Sequence, residues 1–198
     1  GAGSLELADL IINGQSNKEI FFSTYVCHPS MANNELSGPV LASALIQYIK
    51  TKYPNPQHTY RFVFAPETIG SIIYLSEHIK YLKENVICGF NLSCVGDERA
   101  YSYIESRMGN TLADSALHAA MIDLDNVKKY SFLDRGSDER QYCAPGVDLP
   151  FCGFCRTKYG EFPEYHTSAD NFDVVTAEGL EGSFSVMTSI IDAFEIGL

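Results

Sequence analysis

The sequence predicts an α/β fold built on a largely parallel sheet covered by helices. Three observations carry that expectation. Short apolar runs alternate along the chain with longer segments of helical spacing. Residues 60–65 (YRFVFA) are almost continuously apolar, as a strand covered on both faces must be. Polar, titratable residues follow directly on several of the strands, where open α/β sheets present their ligand groups.

In chain order, residues 7–13 (LADLIIN) and 19–27 (EIFFSTYVC) are rich in β-branched and aromatic side chains and read as two strands, with Asn13-Gly14 supplying a turn between them. From Ser37 onward Leu41, Leu45, Tyr48 and Ile49 recur at helical spacing until the pattern runs out near Pro54. The strand at 60–65 ends at Pro66, which has no N–H to give a ladder. Ile72, Leu75, Ile79 and Leu82 repeat helically, and 86–93 (VICGFNLS) is the next strand. Residues 101–105 add a strand, 112–122 a helix with small residues on its packing face, and 149–156 a late strand. Leu180, Phe184, Met187, Ile191 and Phe194 form a final amphipathic helix. No repeat, linker or low-complexity tract interrupts this order, so residues 1–198 are expected to form a single domain, with Gly1-Ala2-Gly3 left out of the fold reading.

Composition narrows the function. Lys and Arg total 14 against 25 Asp and Glu, a formal charge of -11, so no nucleic-acid partner is expected. No apolar run approaches the roughly 20 residues needed to cross a bilayer, and the start lacks a secretory pattern. The chain reads as soluble, unexported and cytoplasmic, without a membrane partner. Six cysteines are too few for a disulfide scaffold and suggest a reducing compartment. Cys152 and Cys155 have redox-motif spacing, but they lie inside an apolar stretch instead of opening a helix and read as packed thiols.

Three segments place polar residues immediately after apolar strands. In the first, His28 follows a buried strand; alone it is a metal ligand or a hydrogen-bonded structural histidine. In the second, Glu67 opens a helix, either as a charge complementing the helix dipole or as a general base beside activated water. The third brackets the late strand with Asp134 to Arg140 on one side and Tyr159 to Asp170 on the other. Of the five histidines, His78 and His118 fall in predicted helices and His58 in a Pro-flanked loop, which leaves His28 and His166 at sheet-end positions.

The stretches CHPSMANNELSGP, PETIGS, SCVGD, DERQYC and FPEYHTSADN, in this order across residues 27–171, resemble the zinc aminopeptidases of peptidase family M28. More closely, they are similar to the bacterial aminopeptidase-like proteins grouped as DUF4910, often with an inserted DUF2172 module. The resemblance implies a three-layer helix/sheet/helix architecture of zinc-exopeptidase type with a mixed, mostly parallel sheet. It also implies hydrolysis of an N-terminal peptide or related amide bond in a small substrate by metal-activated water. Under it His28 matches a histidine ligand, Asn34 the bridging-carboxylate position, Asp138 a carboxylate ligand, His166 the late histidine ligand and Glu67 the general base. Thr68 stands where the M28 pattern has a second, metal-binding glutamate, and Ser30 where an aspartate often backs the first histidine.

Two zinc ions bring four positive charges, and Asn34 and Thr68 leave Asp138 as the only anionic ligand matched. The expectation is therefore one zinc, held by His28, Asp138 and His166 with water in the fourth position, and Glu67 taking the proton of that water. Tyr165 is a candidate donor to the oxyanion, and Arg140 or Arg156 a candidate partner for a substrate carboxylate. Two other readings stay open: a binding or scaffold domain that keeps the fold but has lost catalysis, and an amide-processing enzyme acting on a glycan precursor. Proteins of this resemblance carry additional sequence before the segment equivalent to Ser4-Leu5-Glu6-Leu7, so the chain is expected to be part of a longer protein.

Overall fold

The computed structural model describes residues 2–197; Gly1 and Leu198, the two ends of the expected domain, lie outside the described residues. The chain runs through β1 (Ala8–Ile12), β2 (Glu19–Tyr25), α1 (Ser37–Lys52), β3 (Thr59–Ala65), α2 (Ile69–Asn85), β4 (Val86–Leu92), β5 (Tyr101–Ile104), α3 (Leu112–Met121), β6 (Val127–Tyr130), the single turn α4 (Glu139–Tyr142), β7 (Phe151–Cys155) and α5 (Ala177–Ile196). A π-helical turn at Ala32–Leu36 leads into α1.

The seven strands form one sheet in the order β1-β3-β2-β4-β7-β5-β6. β3, β2, β4 and β7 are mutually parallel, while β1 lies antiparallel on β3 and β5 lies antiparallel on β7. The sheet is thus mixed and mostly parallel. Side-chain alternation along the strands divides the core into two layers. Ile20 and Phe22 of β2 face α1, α3 and α5 through Leu41, Leu45, Leu117, Met187 and Ile191, whereas Phe21 faces α2 and α4 through Tyr74, Leu82 and Tyr142. Leu45, Ile49, Phe62 and Phe90 are wholly buried, each contributing about 1.5–3 kcal/mol relative to exposure.

Two features depart from expectation. Asn13-Gly14 closes no hairpin, because β1 pairs with the outer edge of β3 in the register Ala8↔Phe64. Glycine is needed at 14 for another reason: a Cβ there would stand 2.3 Å from the His58 carbonyl carbon, where the chain passes close to the loop before β3. The second is β6 (VKKY), a short edge strand whose exposed pattern and two lysines gave no apolar signal.

The parallel strands bring the ends of β2, β3, β4 and β7 to one rim of the sheet, and the loops at 26–31, 66–68, 93–97 and 156–170 meet there.

Candidate functional site

The loops at this rim are tied to one another by their own buried polar side chains. Asp170 accepts from the backbone N–H groups of Asn33 (2.6 Å) and Asn34 (2.9 Å), so a carboxylate from the last loop caps the π-helical turn that follows the first. Asn33 accepts from Gly96 N–H (2.8 Å) and donates to Asp97 (3.1 Å), and Asp97 in turn accepts from the Thr157 N–H (2.9 Å) and hydroxyl (2.6 Å). Each of these groups is buried and partnered, which is the condition under which buried polar groups fix a geometry instead of costing stability.

This scaffold brings His28 and His166 together from opposite ends of the chain. Their ring centroids lie 5.3 Å apart, and Glu67 Oε2 stands 3.9 Å from His28 Nε2. Tyr25 packs against His28 at 5.1 Å, and Tyr165 stacks on His166 at 4.0 Å. Burial pushes the Tyr165 phenol up to about 12, with the neighbouring Cys94 and Glu67 adding to the effect, so it is a hydrogen-bond donor at neutral pH. Glu67 is held from both ends: its backbone N–H donates to Cys27 Sγ (3.2 Å), and its Oε1 accepts from the Ser137 hydroxyl (2.6 Å). Cys27 Sγ also lies 3.3 Å from His28 Nδ1. Six non-glycine residues have positive φ among those described, and four of them, Ser30, Thr68, Cys94 and His166, are in these loops. At about 1–3 kcal/mol each, such conformations persist only where the surroundings enforce them, which marks this rim as the candidate functional end of the fold.

The remaining expected metal ligands are engaged elsewhere. Asp138 is 1% exposed, and its Oδ1 accepts from Thr68 N–H (2.8 Å) and from the Ser71 hydroxyl (2.7 Å). Burial lifts its carboxyl to about 7 against the lowering effect of those two bonds, with Glu67 and Glu139 pushing in the same direction as burial. It therefore serves as a brace for the strained Thr68 backbone. Asn34 spends its Oδ1 on Tyr25 OH (2.6 Å), leaving a buried Nδ2 without a partner. Among the described residues, no group of three or more His, Cys, Asp or Glu side chains is arranged to hold a metal ion. The residues present therefore do not fit the expected three-ligand zinc centre: two imidazoles converge, but the carboxylate that would complete the set is buried and hydrogen-bonded within the protein.

Arg156 is likewise corrected. It is 4% exposed, donates to Ala100 O (2.7 Å) and Gly179 O (3.0 Å), and stacks on Tyr101 at 3.8 Å, so it joins β7 to the start of α5 and is not turned to substrate. Arg140 is exposed beside this rim, donating to Thr68 Oγ1 (3.3 Å). Sequence reasoning missed Glu139, which is fully buried: its Oε1 accepts from the N–H groups of Gly136 (3.0 Å) and Ser137 (3.1 Å) and from Tyr159 OH (2.6 Å). It thereby sets the position of Ser137 behind Glu67. Asp170 was missed in the same way. Both lie inside stretches that carry the family resemblance, which is the only signal that could have singled them out.

A seven-stranded mixed sheet with this convergent rim defines the class: the fold is that of the zinc aminopeptidases. It superposes on the Bacillus subtilis zinc aminopeptidase with a TM-score of 0.77 over 93% of this chain and 49% of that one, at 18% identity. At the level of family, the chain belongs to DUF4910, a domain of unknown function whose sequence profile matches residues 1–197. It is 38% identical over 197 residues to a Clostridium acetobutylicum protein described as a candidate polysaccharide biosynthesis protein with an aminopeptidase-like domain, covering 98% of this chain and 44% of that protein. It is also similar to the crystal structure of a candidate peptidase from Clostridium acetobutylicum (TM-score 0.90, 36% identity, 96% of this chain and 44% of that one). The chain thus spans less than half the length of these relatives.

Proposed function

We propose that this chain is an aminopeptidase-like recognition domain that takes the amine- or amide-bearing end of a small peptide or a glycan precursor into the cleft between His28, Glu67 and His166, without the metal hydrolysis of its fold relatives. One observation carries this reading: the rim is braced by its own polar side chains, yet of the positions that would complete a metal centre Asn34 and Thr68 are neutral, and Asp138 is buried with its Oδ1 taken by the Thr68 N–H and the Ser71 hydroxyl. Glu67 supplies an acceptor for an ammonium or amide N–H, and the imidazoles supply a donor or acceptor according to tautomer. A glycan precursor is supported by the description of the Clostridium acetobutylicum relative. The reading includes a cytoplasmic location, supported by six cysteines that are all free thiols; among the described residues no helix is long and apolar enough to cross a membrane.

A second reading, hydrolysis of an N-terminal peptide or related amide bond with one zinc, is favoured by the approach of the two imidazoles to 5.3 Å. Zinc titration of chelator-free protein, alongside its His28→Ala and His166→Ala variants, separates the two. Under the recognition reading zinc uptake is substoichiometric, aminoacyl-anilide substrates are not turned over, and glucosamine or a dipeptide amide shifts the imidazole NMR signals of residues 28 and 166. Stoichiometric zinc that is lost in His166→Ala, together with anilide release, would overturn it in favour of hydrolysis.

A further inference from the structure

A cavity of about 350 Å³ has walls that include Arg107, Arg135, Arg140, Phe132, Leu133 and Pro145, and Arg140 links it to Thr68. In a chain of formal charge -11 the average field repels anions, so arginines gathered in one concavity stand out against it. Three of the chain's six arginines line this space. Arg107 donates to Cys143 O (3.0 Å) and is ion-paired with Asp148. Arg135 and Arg140 have no carboxylate within 4.0 Å among the described residues, although acidic residues are plentiful.

Arg135 is held ready: its guanidinium lies over the Phe132 ring at 4.6 Å, and Nη1 donates to Phe132 O (3.1 Å). That leaves its remaining donors free in a fixed plane. Leu133, 82% exposed, adds an apolar surface at the rim. Arg140 joins the cavity to the cleft, because the Thr68 hydroxyl that accepts from it (3.3 Å) belongs to the residue next to Glu67.

We propose that this cavity is an oxyanion subsite that receives a phosphate ester of the ligand whose amine or amide end occupies the His28–Glu67–His166 cleft. The proposal rests on the recognition reading for the second half of that ligand, but not for the anion itself. Charge favours phosphate over carboxylate. Three guanidinium charges less the one carboxylate paired to Arg107 leave two positive charges, which match a phosphate monoester at about -1.5 to -2 better than a carboxylate at about -1. The exposed Leu133 and the ring of Phe132 offer apolar contact to the group that carries the phosphate. The ligand class is therefore a phosphorylated amino- or amido-compound, such as an aminosugar phosphate.

The test follows the arginine Nε–H resonances of the full chain by ¹H–¹⁵N NMR during titration with inorganic phosphate, and separately with acetate at matched ionic strength. Saturable shifts of Arg135 and Arg140 are expected with phosphate, with acetate at least about tenfold weaker. Arg135→Gln and Arg140→Gln should each weaken phosphate binding about tenfold, and the lysine variants, which keep charge but lose the fork, should fall between. Circular dichroism establishes that each variant is folded. His166→Ala should leave phosphate affinity unchanged, so failure of the cleft reading and failure of the subsite are told apart. No saturable shift at about 20 mM phosphate, weaker than the weakest useful affinity of order 1 mM, would overturn the subsite. So would shifts indifferent to both glutamine variants; acetate binding as tightly as phosphate would overturn the phosphate assignment.

Discussion

Relative to wild type, the Asp138→Asn variant should gain stability as pH rises from acid to alkaline values. The wild-type carboxyl is lifted from 3.8 to about 7, chiefly by burial, so the folded state holds its proton over a range where the unfolded state has released it. Stability from this group is therefore fully present below pH 3.8, declines as pH rises toward about 7, and is flat above. A rise of that size corresponds to about 4 kcal/mol in all, of which roughly 2–3 kcal/mol is lost between pH 5 and pH 8. Asparagine keeps an oxygen for the Thr68 N–H and the Ser71 hydroxyl, and removes the titration. Its new N–H₂ group costs the same at every pH, so the difference between the variant and wild-type profiles isolates the titration. Urea unfolding followed by circular dichroism at pH 5, 6, 7 and 8 measures it. Parallel profiles for the two proteins would refute the assignment of Asp138 as a buried, proton-holding brace, and would fit a carboxylate kept ionised at all these pH values.

Two further outcomes are expected. Native protein should expose a single accessible thiol to Ellman's reagent, Cys27, and all six only after denaturation, because the other five are buried and burial raises Cys155 to about 12; reaction of Cys152 or Cys155 in the native protein would show that the β7 pair is accessible. Arg61→Ala should destabilise the fold by about 3–5 kcal/mol, because it strands the fully buried Glu19, which now takes bonds of 2.6 and 2.9 Å from the guanidinium; the double variant Glu19→Gln/Arg61→Met should recover most of that loss in the same unfolding assay.

Much of the architecture was legible because burial leaves a periodic trace. Continuous apolar runs marked β2, β3 and β4, and helical spacing marked α1, α2 and α5. The order of strands was not legible: nothing local distinguishes a β1 that folds back on β2 from one that crosses to β3. His28, Glu67 and His166 stand out in the sequence because each sits in a distinctive stretch after a strand, and the structure brings them together. Asp138 also sits in such a stretch, but its environment is set by Thr68 and Ser71, about 70 residues away in the chain. Sequence position names a carboxylate; only the fold decides whether it faces a ligand, braces a backbone or, as with Glu139, orients a neighbouring hydroxyl.

The placement of β7 has a consequence for how the molecule is made. Its two hydrogen-bonded neighbours, β4 and β5, precede it by dozens of residues, so the polypeptide must leave a slot in the sheet and return to fill it. Until residues 151–155 dock, two inward-facing edges stand unpaired, the arrangement most prone to capture a foreign strand. His166 and Asp170 follow immediately after that docking step, so the histidine pair and the clamp on the π-helical turn can form only once the slot is closed. An unfinished chain therefore lacks the His28–His166 pair and the Asp170 clamp, and their formation reports that the sheet has been sealed.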